Sequence, residues 1–242
     1  NKLGERLSQA LSELGAQVVV YGDTGVGKTS LVTRIGGTAI ARVECQDAKS
    51  FRDLIHEAFG ALGEVQELRF SETHEASSGV EAEGGLGWVA SLKARLRSNV
   101  SQGTTRDYEI FQTPLIDVLI ESMQDSEKKI LFFDNFETIS SDAVKKGIAE
   151  LMVALSDRSR ESGNIKVVVA GIAESAASLV SLSSAASRRT VDIAVPPMPD
   201  EELTEIVTRG MQRLGIDIES KEIREIVHMS AGYPYVTHLV SL

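Results

Sequence analysis

The sequence is short of several residue types, and each shortage excludes a class of protein. Of its 242 residues only Cys45 is a cysteine, which excludes an internal disulfide framework and a zinc site built from cysteines. Lysine and arginine number 25 against 35 aspartates and glutamates, a net charge of −10, whereas binders of duplex nucleic acid or anionic membranes usually carry a basic excess. No apolar run approaches the roughly 20 residues of a membrane span. These absences favour a globular protein of the reducing cytoplasm, with no membrane partner.

The two ends of the sequence predict that it was cut from a longer protein. It begins at Asn1 rather than at methionine and has no signal-like segment, and Val240 to Leu242 lie in an apolar, helix-like stretch. We therefore expect further domains of the same protein outside this chain.

Apolar runs alternate with helical patterns along most of the chain. The β-branched run Gln17–Tyr21 predicts a strand that is buried on both faces, and an amphipathic helix is predicted before it. Further strands are predicted near residues 39–44, 130–134, 165–171 and 190–195. Strands that alternate with helices are typical of an α/β fold with a parallel sheet between two layers of helices.

Two segments depart from this alternation. Residues 64–107 predict an inserted excursion, after which Thr113 and Pro114 predict the N-cap and first-turn proline of a helix through Met123. After Pro199 only helical patterns follow. We therefore divide the chain into a core, residues 1–198, and a partial helical segment, residues 199–242.

The strongest motif lies between the first strand and the helix that follows it. Residues 22–29, GDTGVGKT, fit the phosphate-binding pattern G-x-x-x-x-G-K-[ST]. The glycines allow successive backbone N–H groups to face phosphates, Lys28 reaches the terminal phosphates, and the Thr29 hydroxyl ligates Mg²⁺. The predicted nucleotide-binding residues are Gly22, Asp23, Thr24, Gly25, Val26, Gly27, Lys28, Thr29 and Ser30.

A second motif supplies a carboxylate for the metal. The apolar run Ile130–Phe133 ends in Asp134, which we assign to Mg²⁺ through the metal's water shell, because doubly wound folds place ligands at the carboxyl ends of their strands. Asn135 then stands where many related ATPases have a glutamate, and an amide cannot accept a proton. Either Glu137 is the base that activates water, or hydrolysis is slow and the domain behaves as a switch.

Other polar residues are weaker candidates for roles in catalysis. No N-K-x-D element that could recognise guanine is present, so adenine is the better expectation. Glu174 or Ser175, after the fourth strand, could sense the γ-phosphate. Arg188 and Arg189 precede the fifth strand and have no obvious internal partner in sequence. One of them could reach a neighbouring subunit's γ-phosphate as an arginine finger, or both could pair with local acids.

Together these motifs resemble the AAA+ and STAND branches of the P-loop ATPases. The resemblance rests on GDTGVGKT, on the string FFDNFE at 132–137, and on Gly232-Tyr233-Pro234 in the terminal helical segment. It implies a three-layer αβα fold with five parallel strands in the order 5-1-4-3-2. It also implies that residues 199–242 are part of a lid, whose Pro234 contacts ATP or ADP. We call these residues the lid from here on.

Two classes of function follow as expectations. The preferred one is an ATP- and Mg²⁺-dependent switch that assembles into a homo-oligomer and hydrolyses ATP slowly, as in signalling or bacterial antiviral defence. The alternative is a DNA-associated AAA+ ATPase of the initiator, loader or transposition-helper type. Its DNA contacts would lie in a missing domain or in the small basic segment LKARLRS, residues 92–98. A metabolic P-loop kinase is a weaker third reading, since no acceptor-substrate signature is evident.

Overall fold

A computed structural model describes residues 2–63, 107–181 and 183–241, and these form one five-stranded sheet with helices on both faces. All pairings are parallel, and the strand order is β2-β3-β4-β1-β5. The order and the three-layer αβα architecture predicted from the sequence are confirmed. The strands are β1 Gln17–Tyr21, β2 Ile40–Glu44, β3 Ile130–Asp134, β4 Lys166–Gly171 and β5 Thr190–Ala194.

Ten α-helices lie in the described residues: α1 Lys2–Ser12, α2 Lys28–Gly36, α3 Phe51–Leu62, α4 Asp107–Asp125, α5 Asp142–Asp157, α6 Ala173–Ser181, α7 Ser184–Ser187, α8 Asp200–Leu214, α9 Ser220–Ser230 and α10 Pro234–Val240. Short 3₁₀ turns follow α2 at Gly37–Ala39 and β3 at Phe136–Thr138. None of the described helices is long and apolar enough to span a bilayer.

The position of each strand in the sheet follows from its burial pattern. The central strands β3 and β4 are buried at every residue, as expected for strands covered on both faces. In the edge strand β2, Ala41 and Val43 are buried, whereas Arg42 and Glu44 are exposed. Because successive side chains in a strand point to opposite faces, Arg42 and Glu44 lie on the same face of β2.

The sheet separates two apolar clusters. The larger includes Phe59 of α3, Leu119 of α4 and Leu155 of α5, and it covers one face of the sheet. The smaller includes Leu7 of α1 and Val32 of α2, and it covers the other face, where Phe132 of β3 lies. Both faces are therefore closed by apolar packing, and functional groups are left at the edges of the sheet.

One predicted helix start was wrong. Helix α4 begins at Asp107, so Thr113 and Pro114 lie inside the helix rather than at its N-terminus. A proline inside a helix lacks its own N–H bond and its ring crowds the carbonyl four residues back, but later turns of α4 pack Leu119 and Met123 into the core. The excursion predicted at 64–107 falls, except for Asp107, outside the described residues. The boundary near Pro199 stays a prediction.

A buried lysine at the amino end of β4 makes stability depend on pH. Lys166 is 2% exposed, and its Nζ donates to the carbonyl oxygens of Ala16, at 2.8 Å, and of Glu13. Burial lowers the pKa of Lys166 from 10.5 to about 8. Between pH 8 and 10.5 the unfolded chain then binds more protons at this residue than the folded chain does. This residue's contribution to the free energy of unfolding therefore rises with pH across that interval.

We expect this contribution to be missing from Lys166→Met. Urea unfolding of both proteins from pH 7 to pH 10 measures it. The difference in unfolding free energy, wild type minus variant, should grow as the pH increases. A difference that is constant across this range contradicts the prediction.

Candidate functional site

The Walker A loop, residues 22–29, follows β1 at the carboxyl edge of the sheet and leads into α2. Gly25 and Gly27 have φ angles of +88° and +96°, a backbone conformation that side chains other than glycine rarely adopt. The N–H groups of Thr24, Gly25 and Gly27 donate to no acceptor within the described parts of the chain. The loop therefore offers several free N–H donors at a helix N-terminus, an arrangement that suits an anion.

Lys28 lies folded into the Walker A loop. The residue is 8% exposed, and its Nζ donates to the carbonyl oxygens of Gly22 at 2.8 Å and Asp23 at 2.9 Å. An ammonium group has three N–H donors. These two bonds hold the charge inside the loop, and the third N–H is free to bind a ligand. A phosphate group in the loop would meet both this cation and the free N–H groups.

Asp134 and Thr29 lie close together, although 105 positions separate them in sequence. The Thr29 hydroxyl donates to Oδ1 of Asp134 at 3.0 Å, and the Asn135 N–H donates to the same oxygen at 3.1 Å. Asp134 is only 1% exposed. The predicted metal-binding pair is therefore assembled at the carboxyl ends of β3 and β1, beside Lys28.

The second oxygen of Asp134 faces the edge strand. Arg42 Nη2 lies 2.7 Å from Oδ2, which is buried and accepts no hydrogen bond from the described residues. Glu44, aligned with Asp134 in the β2–β3 register, accepts a hydrogen bond on Oε1 from Asn135 Nδ2 at 3.3 Å. Strand β2 thus brings one cation and one carboxylate to the carboxyl end of β3.

Glu137 belongs to the 3₁₀ turn after β3. Its Oε2 is buried and has no hydrogen-bond partner in the described residues. A Cβ added to Gly171, the last residue of β4, would stand 3.4 Å from this oxygen, and the Gly171 carbonyl accepts the Gly22 N–H at 3.2 Å. An uncommitted carboxylate oxygen therefore lies beside the entrance of the Walker A loop, where a base could act.

Cys45 follows β2 directly and packs behind the site. Its N–H donates to the Asp134 carbonyl at 2.9 Å, and the residue is 1% exposed. Burial raises the pKa of the thiol from 9.0 to about 12. Cys45 is therefore a protonated packing residue, and its backbone extends the β2–β3 pairing past Asp134.

The lid is in contact with the Walker A loop. The Tyr233 hydroxyl donates to Oδ2 of Asp23 at 2.9 Å, a bond that also raises the pKa of Tyr233, and the Tyr235 N–H donates to the Gly25 carbonyl at 3.4 Å. Pro234, between them, is buried as the first residue of α10. The predicted nucleotide-contact residue is thus brought to the loop.

A close backbone contact fixes the start of this lid element. Gly232 has a φ of +87°, its carbonyl accepts the Met198 N–H at 2.7 Å, and a Cβ there would stand 2.6 Å from the Cβ of Pro197. A larger residue at this position would therefore push the lid away from the segment that links it to the core.

The side chains at this site fit a nucleotide with a magnesium ion. The loop supplies N–H donors and Lys28 for phosphates, while the Thr29 hydroxyl and the Asp134 carboxylate supply the oxygen atoms that Mg²⁺ prefers. The remaining ligands of such an ion come from water and from the phosphates, so one carboxylate is enough.

Nearly the whole chain matches one family model. Residues 1–240 match the family model described as Novel STAND NTPase 1. The chain belongs to this family. The family name describes nucleoside triphosphatases. Such an activity would use the Walker A loop, with Lys28 and Thr29, and the nearby Asp134.

Solved structures of other ATPases share the fold of this STAND NTPase. A Walker-type ATPase of Pyrococcus abyssi superposes with a TM-score of 0.60 at 17% identity, over 100% of this chain and 66% of its own. A STAND protein with a tetratricopeptide repeat sensor from Pyrococcus horikoshii superposes with a TM-score of 0.58 at 14% identity, over 98% of this chain and 29% of its own. The ORC2 protein of Aeropyrum pernix, in ADPNP–ADP complexes, superposes with a TM-score of 0.57 at 16% identity, over 98% of this chain and 59% of its own. The chain therefore spans less than two thirds of these proteins. No curated protein matches it.

The two candidate arginines lie away from the phosphates in this STAND NTPase chain. Arg189 does have an internal partner: it donates to Asp157 Oδ1, at 2.5 Å from Nη2. Arg188 is exposed, and within the described residues its Nε donates only to the Ser184 carbonyl, at 3.3 Å. Both precede β5 at its amino end, whereas the Walker A loop follows the carboxyl end of β1. Neither arginine can therefore serve the loop of its own chain.

The remaining predicted residues divide between the site and its surroundings. Ser175 is buried, and its hydroxyl, which donates to the Ile172 carbonyl, lies 2.6 Å from where a Cβ on Gly171 would stand. Glu174 is exposed. Ser175 is therefore the better placed of the two for sensing a phosphate. The basic segment 92–98 lies outside the described residues.

Sequence reasoning missed Arg42, Glu44 and Tyr235 of this STAND NTPase site, and it named Tyr233 only as part of the motif Gly232-Tyr233-Pro234. Arg42 and Glu44 could have been found, because their spacing of two places both on one face of a strand that ends at the same edge as Asp134. The contacts of Tyr233 and Tyr235 with the Walker A loop span about 210 positions, and no local pattern predicts them.

Proposed function

We propose that this domain binds ATP with Mg²⁺, hydrolyses it slowly, and acts as a switch that controls assembly of the full-length protein. One observation supports the proposal of a switch: the lid is hydrogen-bonded to the Walker A loop through Tyr233 and Tyr235. Any ligand that reshapes the loop must alter these two bonds. Occupancy of the site is in this way coupled to the position of the lid.

The side chains divide the work of binding. The loop N–H groups and Lys28 bind the phosphates, Thr29 and Asp134 hold the metal, and Pro234 borders the nucleotide from the lid. Bound Mg²⁺ would neutralise charge on the phosphates as the terminal one is transferred. A carboxylate and a hydroxyl already in hydrogen-bond contact need little rearrangement to receive it.

Slow hydrolysis follows from Asn135 and Glu137, the first and third residues after Asp134. The Asn135 side chain bonds to Glu44 and cannot accept a proton, so the task of activating water falls to Glu137. The Glu137 carboxylate has a buried oxygen with no partner in the described residues, which supports this role. It comes from the 3₁₀ turn rather than from the end of the strand, and this less direct placement accounts for a low rate.

Assembly would bring a second subunit to the site. Arg188 is exposed and makes no ion pair within the described residues, so it is free to act as an arginine finger on a neighbouring subunit. Arg189 is less suited, because the Asp157 carboxylate already neutralises it. We also propose that the protein works in the cytoplasm, and that its signalling or defence output lies in other domains.

The DNA-associated alternative has no specific support in the described residues. Its one basic segment, LKARLRS at 92–98, lies outside them. The likeness to ORC2 and to a DNA replication initiation factor, at 16% and 12% identity, reflects the fold alone.

The test is the mass of the full-length protein in solution, measured by light scattering with MgATP, with MgADP and without nucleotide. We expect at least a doubling of mass with MgATP only. Lys28→Ala should remain at the mass of the nucleotide-free protein under every condition. An unchanged mass of wild type in all three conditions, with nucleotide binding confirmed by calorimetry, would refute the switch.

A further inference from the structure

A second cation lies beside the carboxylate that is assigned to magnesium. Arg42 Nη2 is 2.7 Å from Asp134 Oδ2, and the two side chains are 49% and 2% exposed. A buried carboxylate needs a compensating charge, and Lys28 is held elsewhere by two carbonyl oxygens. Arg42 is therefore placed to neutralise Asp134.

The contact differs from the other bonds of Asp134. Oδ1 accepts directed hydrogen bonds from the Thr29 hydroxyl and the Asn135 N–H, whereas Oδ2 has the charge of Arg42 nearby but no hydrogen-bond partner in the described residues. Another ligand can therefore bind Oδ2 only in place of the Arg42 guanidinium, which lies 2.7 Å from it. Because Oδ2 is buried, such a ligand reaches it only when a neighbouring side chain moves.

Arg42 is the neighbouring side chain that can move. Half of it is exposed, so its guanidinium can turn towards water, and the buried charge of Asp134 stays compensated when another cation takes its place. Glu44, two residues along on the same face of β2, offers a second carboxylate, of which only Oε1 is bonded to Asn135. The guanidinium can exchange one carboxylate for the other while the backbone of β2 stays in place.

From these contacts we infer that Arg42 is a built-in counter-ion that competes with Mg²⁺ for Asp134. The inference rests on the proposed function, since it concerns the metal bound with the nucleotide. A guanidinium and a divalent cation at the same carboxylate repel each other, so the arrival of the metal requires Arg42 to leave Oδ2. Arg42 thereby sets the Mg²⁺ concentration that is needed for the site to bind nucleotide together with the metal.

The test is a Mg²⁺ titration of ADP binding to the full-length protein, followed with a fluorescent ADP analogue. Arg42→Gln should lower the half-saturating Mg²⁺ concentration by about threefold to tenfold. Arg42→Lys, which keeps a cation, should stay within about twofold of wild type. The matched control is Arg52→Gln, which removes the same charge from an exposed position on α3 and should leave the titration unchanged.

The possible results separate this inference from the proposed function. If Arg42→Gln titrates like Arg52→Gln, Arg42 does not compete with the metal. If Arg42→Gln requires more Mg²⁺, Arg42 orients Asp134 for the metal, which also overturns the inference. If wild type binds no nucleotide at any Mg²⁺ concentration, the proposed function itself fails. Arg42→Met replaces Arg42→Gln if thermal unfolding shows that the glutamine variant does not fold.

Discussion

Lys28→Ala should lower the affinity for ATP by about 100-fold or more, which corresponds to about 2.7 kcal/mol of binding free energy. The variant loses the cation nearest the phosphates, and it also loses the two bonds from Nζ to the Gly22 and Asp23 carbonyls that hold the loop in shape. The first loss weakens the bound state directly, and the second leaves the loop less ordered before the nucleotide binds. Calorimetric titration with MgATP measures the change.

The control for this variant is Lys221→Ala, which removes the same charge. Lys221 lies on α9, its side chain is 77% exposed, and its only described ion pair is with Glu225 at 3.9 Å. The control should bind MgATP as wild type does. Tight binding of MgATP by Lys28→Ala would mean that the Walker A loop is not the nucleotide site.

Glu137→Gln should lower ATP turnover by about 100-fold or more while nucleotide affinity stays within about threefold of wild type. Glutamine has the same shape as glutamate but cannot accept a proton from water. The substitution also leaves the contacts of Lys28, Thr29 and Asp134 in place. Phosphate release under single-turnover conditions measures the rate, and a titration with labelled ATP measures the affinity.

Two further variants make this result specific. Glu161→Gln, at an exposed position after α5, should leave turnover unchanged. Glu44→Gln tests the other carboxylate at the sheet edge, which is bonded to Asn135. Loss of turnover in Glu44→Gln together with normal turnover in Glu137→Gln would move the role of base to Glu44.

The architecture could be predicted because its signals are local. Each central strand is a short β-branched or apolar run, and the pattern from Gly22 to Thr29 places a phosphate loop between a strand and a helix. These signals need no knowledge of distant residues. The error at Pro114 has the same origin: a proline next to a threonine is a good local helix start, but packing of later turns extended α4 back to Asp107.

The rest of the site depends on distant contacts. Arg42 and Asp134 meet only because β2 pairs with β3, and Tyr233 meets Asp23 only because the lid folds back over the core. The partner of Arg189 was missed for the same reason: Asp157 comes from the end of α5, 32 positions away. Sequence spacing carries no record of these contacts, whereas sheet register and helix packing determine them.

The burial of Cys45 has a kinetic consequence. With its thiol enclosed and its pKa near 12, Cys45 is almost entirely unreactive in the folded chain at neutral pH. A thiol reagent can modify it only in the fraction of molecules in which β2 has separated from β3. Its modification rate therefore reports how often this edge of the sheet opens, and a ligand that bridges Asp134 and the Walker A loop would slow it.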